Sequence, residues 1–168
     1  MATQRWTPRV TASAVIEDAG RYLLVEEETS DGLRLNNPSG HLEPGESPID
    51  AVAREALEET ARPFEPTHLV GIYMSRFQRP AIGEDVTYLR LAFTGRAGEV
   101  IAGRALDTGI VRTLWMTLDE LRASRHRHRS PMVLRSVEDH FAGVRYPLGL
   151  LTVDDTLWNP EQIHAAAA

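Results

Sequence analysis

Residues 40–59 read GHLEPGESPIDAVAREALEE, and this stretch decides the fold. Ser47 is an N-cap side chain, and Pro48 occupies the first helical position, where its missing N–H costs nothing. The helix these residues open is expected to run to about Ala61, ahead of Pro63. With successive side chains about 100° apart, Glu55, Glu58 and Glu59 share one face, with the small Ala51 beside them. Ile49, Ala53, Ala56, Leu57 and Thr60 fall on the other. The spacing therefore predicts a helix that buries its apolar side and shows its carboxylates. Glu46 lies just upstream and Arg54 sits among the acids. Like charges at helical spacing disfavour the helix by a few tenths of a kcal/mol per pair, roughly, so the cluster calls for compensation. A solvated acidic face is the bland outcome, but two local details point past it. Carboxylates within one turn suit Mg²⁺, which takes oxygen ligands and bridges protein carboxylates to phosphate oxygens. Gly40 lets backbone approach an ion or phosphate with no side chain in the way. Arg54 is placed to hold a carboxylate through charge-assisted bonds.

Outward from this stretch, residues 9–17 and 21–28 are short apolar, β-branched runs separated by Asp18-Ala19-Gly20, which reads as a hairpin. Ser30-Asp31-Gly32 turns the chain into Leu33–Asn36, and Asn36-Asn37-Pro38-Ser39-Gly40 is a loop. Strand-like runs follow at 67–78, 86–96 and 110–117. Thr117 with Glu120 has the spacing of a capping box, and a further helix is expected over 131–142. Strands, helix, strands, helices give an α+β class, an α/β/α sandwich with a mixed central sheet. The closing HAAAA reads as a frayed end.

The 168 residues suit one domain. With no Cys there is no disulfide or thiolate metal site, and a reducing cytoplasm is the expected setting. No stretch approaches the ~20 apolar residues of a membrane helix, so no membrane partner is expected. The formal charge of −6 argues against a nucleic-acid polymer as partner, while a small anionic ligand remains compatible. All 18 basic residues are Arg. Genome composition accounts for most of that bias, although Arg also suits bidentate phosphate contacts.

Gly40, Glu46, Arg54-Glu55 and Glu58-Glu59 follow one another at the gaps of a known signature, and on these residues the chain resembles the Nudix hydrolases. Ala61 stands where the signature usually has Gly, and Arg62 where it has an aliphatic residue, which puts the helix exit in question and leaves the acids intact. The resemblance runs from about residue 8 to 150. VTASAVIED, GRYLLVEEE, NNPSGHLEPGE, TYLRLAFTGR, TLDEL, RSPMVLRSVEDH and RYPL come in the order of the family's NudJ-type phosphatase branch, with Leu35 in place of the usual aromatic. It implies a Nudix domain over 1–153 and a C-terminal tail over 154–168.

By the same resemblance, Glu55, Glu58 and Glu59 are metal ligands, the carbonyl of Gly40 adds another, and Glu46 with Arg54 orients the cluster. The ion is expected to be Mg²⁺, with Mn²⁺ as substitute. The implied activity is attack of water on phosphorus in nucleoside tri- and diphosphates and thiamine-type pyrophosphates. Two other functions remain open: a nucleotide-sensing module on the same fold, and a sanitation pyrophosphohydrolase for oxidised nucleoside triphosphates. Members of the family place the general base on a signature glutamate or on a later loop. In this chain that loop is GRALDTGIVRTLW, whose one acid is Asp107. Arg34, Arg76 and Arg90 are candidate phosphate ligands, Arg90 foremost because it interrupts the apolar TYLRLAF. His41 follows the loop glycine and is either a phosphate contact or a structural donor. Tyr73, Phe77 and Tyr88 are either core or a stacking platform. RHRHR at 125–129 reads as a solvated charge run. Either a monomer or a homodimer fits.

Overall fold

Residues 6–80 and 83–160 are described by the computed structural model. Strand β1 (Arg9–Val15) is followed by β2 (Glu17–Asp18), β3 (Arg21–Thr29), β4 (Gly32–Asn36) and β5 (Ser39–His41). Helix α1 (Pro48–Thr60) leads into β6 (Phe64–Arg79), β7 (Glu84–Ala97) and β8 (Ile110–Thr117). Helices α2 (Leu118–Ala123) and α3 (Met132–Phe141) precede β9 (Tyr146–Pro147). One sheet has the order β5-β1-β7-β6-β9, and in the other β3 pairs with β2, β4 and β8. β1 and β7 are parallel and their neighbours antiparallel, so the sheet is mixed.

Strand alternation divides the core into two layers. Ala12, Ala14 and Ile16 pack with Val52 and Ala56 of α1, while Val15 packs with Leu121 of α2 and Val133 and Val137 of α3. Helices therefore cover both sides, giving the expected α/β/α arrangement. Each fully buried Val, Leu, Ile or Phe contributes about 1.5–3 kcal/mol, and Phe93, Leu24, Val52 and Val133 are all at or near zero exposure.

The first hairpin differs from expectation. β1 pairs with β5 and β7, and only Glu17–Asp18 turns back on β3. Residues 12–15 are all buried. A strand buried on both faces belongs inside a sheet that is covered on both sides. β6 and β7 also extend beyond the expected strand ends and pair from Phe64↔Ala97 to Arg79↔Glu84.

Ser47 caps α1 as read, accepting from Asp50 N at 3.1 Å, and the Asp50 carboxylate closes a capping box that the sequence reading passed over. At the helix exit Ala61 adopts a left-handed φ of 55°, a conformation costing a non-glycine residue roughly 1–2 kcal/mol. The exit turn is nonetheless kept: Ala61 N donates to Leu57 O at 3.0 Å, and Ala61 O accepts from Ile101 N at 2.8 Å. Leu148 and Leu151 pack on the α1-side core, and a 3-10 turn at Asp155–Leu157 continues past residue 153. The HAAAA end lies outside the described residues.

Candidate active site

Ala51, Glu55 and Glu59 recur every fourth residue and form one stripe of α1. The structure corrects where that stripe faces. Glu55 and Glu59 are 8% and 7% exposed, and Ala51 beside them is fully buried in the core. Ala53 and Leu57, read as core, are only partly buried. Strand β5 lies over the acidic stripe, and of the three acids only Glu58 keeps substantial side-chain exposure, at 38%.

Contact with β5 is close. A Cβ at Gly40 would collide with the Glu55 carboxylate, so glycine is required there for space. Ser39 N donates to Glu59 Oε2 at 2.8 Å. Arg54 clamps the cluster from outside: it donates to Glu46 Oε2 and Oε1 at 3.0 and 2.7 Å, to Glu55 Oε1 at 2.7 Å, to Glu58 Oε2 at 3.0 Å and to His41 O at 3.1 Å. The Arg54 hydrogen bond holds the Glu46 carboxyl below the usual range. Burial pushes the Glu55 carboxyl up despite Arg54. Burial, opposed by the Ser39 N–H, pushes Glu59 up to about 8, and the charges of Glu55, Glu27 and Asp107 add to the rise. Asp107 is exposed at the end of the 98–109 loop, which is pinned to α1 through Asp107 N to Glu58 O at 2.9 Å.

With Arg54 and Ser39 holding these carboxylates, no three His, Asp or Glu side chains among the described residues stand at ligating spacing. The donor set still fits a divalent cation. Several carboxylates converge under a bare glycine, and burial together with mutual repulsion disfavours their charged forms. A hard cation takes such oxygen donors and offsets that repulsion.

A cavity of about 770 Å³ opens beside this cluster and meets it along Glu27, Ser39 and Gly40. Glu55, Glu58, Glu59 and Asp107 lie outside its lining, whereas Arg34, His41, Arg76 and Arg90 lie in it. Their states differ. Arg76 is exposed and already bidentate to Asp85, at 2.8 and 2.5 Å. Arg34 donates to the neighbouring Leu33 carbonyl at 3.1 Å. His41 lies tilted against Tyr88, ring centroids 6.1 Å apart, and burial lowers its pKa. Arg90 is pulled down to about 10 by desolvation, and its contacts to Asn36 Oδ1 at 3.4 Å and Ser39 Oγ at 3.5 Å are long. Of the aromatics, Phe77 and Tyr88 reach the cavity, while Tyr73 packs on the α3-side core and donates to Asp139 Oδ2 at 3.0 Å.

Three features escaped the sequence reading. Glu27 enters the cavity through a β-bulge at Glu26/Glu27, accepts from Asn36 Nδ2 at 3.2 Å, and is raised by burial. Asn36 also donates to Ser39 Oγ at 3.1 Å, linking β4 to β5. The 125–129 run is more than a solvated loop: Arg125, His128 and Arg129 line the cavity, and Arg129 N donates to Leu35 O at 2.8 Å. Arg127 pairs with buried Glu26, which also accepts from Arg112 at 2.7 Å. The signal for this pairing was the acidic triplet 26–28 inside a strand. Acids on a paired, buried strand need cations from elsewhere.

An α/β/α sandwich that sets clustered carboxylates beside an arginine-lined cavity defines a site for an anionic substrate. The chain belongs to the Nudix family: the NUDIX domain matches residues 7–137. It is 30% identical over 144 residues to the phosphatase NudJ of Escherichia coli K12, covering 86% of this chain and 90% of the relative. A Nudix hydrolase structure from Nitrosomonas europaea is 48% identical with a TM-score of 0.81, covering 89% of this chain and 99% of the other. A MutT Nudix hydrolase from Burkholderia pseudomallei, 21% identical with a TM-score of 0.63 over 80% of this chain and 98% of the other, shares the fold. The chain is thus a Nudix hydrolase, of a family whose hydrolases generally use divalent metals. Among the described residues no helix is long and apolar enough to cross a membrane.

Proposed function

We propose that this hydrolase is Mg²⁺-dependent and cleaves the terminal phosphoanhydride of nucleoside tri- and diphosphates and thiamine-type pyrophosphates, releasing inorganic phosphate. The observation that carries the reading is the juxtaposition of Glu55 and Glu59 under Gly40 and Ser39 with the arginine-lined cavity. Glu55, Glu58, Glu59 and the Gly40 carbonyl would hold the ion, which supplies a lowered water pKa and charge neutralisation on the phosphoryl oxygens. Glu46 and Arg54 fix the carboxylates in place. Arg90, with Arg34 and His41, orients the phosphate chain, so that catalysis comes chiefly from positioning. Arg76 contributes after exchange from Asp85. Asp107 is the acid placed to accept the proton of the attacking water, because it lies beside the cluster and has no clamp role. The NudJ likeness supports terminal rather than internal cleavage.

The test is to incubate the protein with Mg²⁺ and a nucleoside triphosphate, and separately with thiamine pyrophosphate, and to resolve products by phosphorus NMR. Stepwise release of orthophosphate is expected. Pyrophosphate as first product would replace this reading by the sanitation type, and binding without product across a broad phosphorylated panel would replace it by a sensing module.

A further inference from the structure

Two adjacent acids of β3 hold the run at 125–129. Arg127 pairs with Glu26, and neither of them belongs to the cavity lining. Arg129 Nε stands 3.8 Å from Glu27 Oε1, and both of these residues do belong to it, as do Arg125 and His128. Between the two pairs the run follows the outer edge of β4: His128 forms a bridge with Leu35, and Arg129 N donates to Leu35 O at 2.8 Å. Leu35 is fully buried, so the run is fastened to the core.

Arg125, Arg127 and Arg129 are like charges at alternate positions and repel one another. Glu26 offsets that repulsion. Its side chain is only 4% exposed, and a carboxylate so buried needs cations beside it. It has two, from separate segments: Arg127 of the run, and Arg112 of β8 at 2.7 Å. Only Arg127 is continuous with the cavity wall. Its neighbours Arg125 and Arg129 are exposed, and among the described residues Arg125 has no ion pair and Arg129 only the long one to Glu27. Cations so placed remain available to an anionic substrate. Glu55, Glu58 and Glu59 lie outside the lining, so this wall can govern binding without altering the cleavage step.

We propose that Glu26 and Arg127 are a positioning pair that fixes the 125–129 run as the outer wall of the substrate cavity, where Arg125 and Arg129 meet the anionic part of the substrate. Neither member of the pair touches substrate; each acts through the run. This rests on the reading of the cavity as the substrate site, and the experiment keeps the two separable.

The experiment is steady-state kinetics of the full chain in Mg²⁺ with a nucleoside triphosphate, joined to calorimetric titration with its β,γ-methylene analogue, which gives Kd independently of terminal cleavage. Arg127→Met is expected to raise KM and Kd about tenfold while kcat changes less than about twofold, and Arg127→Lys, which keeps the charge, to restore most of the loss. Arg112→Met is the control. It takes the other cation from Glu26, so Tm should fall comparably, yet KM should stay within about twofold of the parent. Replacing the exposed Arg125 and Arg129 together by Met should raise KM at least about tenfold without lowering Tm, and adding Arg127→Met to that pair should raise it no further. Unchanged KM in Arg127→Met, an equal rise in Arg112→Met, no rescue by lysine, or a further tenfold rise in the triple variant would each overturn the positioning role. Turnover with KM and Kd indifferent to Arg127 removes only that role. Arg127-sensitive Kd without turnover removes only the proposed hydrolysis.

Discussion

The acidic and basic sides of the site are built in opposite ways. The acids Glu55, Glu58 and Glu59 come from one turn of α1, and a single neighbour, Arg54, bonds two of them together with Glu46. The cavity's arginines come from β4 (Arg34), β6 (Arg76, Arg79), β7 (Arg90), the run before α3 (Arg125, Arg129) and α3 itself (Arg135). Several are neutralised by their own local acids, Arg76 by Asp85, Arg79 by Asp31 and Glu84, and Arg135 by Asp139. Arg90 is not. A dense local charge cluster thus carries its own clamp, whereas the dispersed one leaves Arg34, Arg90 and Arg125 without an ion pair among the described residues.

The largest expected break is on the acidic side. Glu59→Gln should reduce turnover at least about 100-fold with Mg²⁺ present, while Tm stays level or rises. The amide oxygen still accepts from Ser39 N, and a carboxyl whose charged form is disfavoured by burial is gone. Parent-rate hydrolysis by this variant would remove the acidic cluster from the chemistry.

Arg54→Ala tests the clamp itself. Glu46, Glu55 and Glu58 lose their common donor, and stability should fall by about 2 kcal/mol, a value between exposed and buried ion pairs because Arg54 keeps 26% side-chain exposure. Urea unfolding with and without Mg²⁺ checks this, and the ion should recover more stability in the variant than in the parent. A variant as stable as the parent in the absence of Mg²⁺ would show that the clamp holds nothing.

On the basic side, Arg90→Met should raise KM for polyphosphate substrates about tenfold without lowering Tm, since the guanidinium is desolvated and poorly bonded in the free protein. A large loss of Tm with KM unchanged would make Arg90 structural and end the contrast.

The last test lies away from both sides and serves as their control. His140 is 8% exposed, meets Tyr22 Oη at 3.2 Å, and is lowered to about 4, chiefly by burial and then by the Arg145 charge. The unfolded chain therefore takes up this proton first as pH falls. Stability is fully present above an unfolded value of about 6.5 and declines as pH drops toward about 4. His140→Gln should flatten that decline in unfolding experiments run across this window, with or without Mg²⁺. An unchanged slope would place the acid sensitivity at the carboxylates instead.

Helix α1, its Ser47 cap, the Gly40 approach and the grouping of the acids were legible because all are set within a few residues by capping chemistry and the helical repeat. That repeat says which side chains share a face and is silent on what covers the face. Only the docking of β5 buried Glu55 and Glu59. In the same way, the turn at 18–20 was readable, but the pairing of β1 with β7 was decided by burial on both of its faces. Glu27 depended on a bulge, and the 125–129 run on finding buried Glu26 across the chain. The sequence by itself determined the metal-type chemistry, since acids on one helical turn are neighbours in any fold. The tertiary structure decided the substrate wall, because residues on separate strands become neighbours only through long-range pairing.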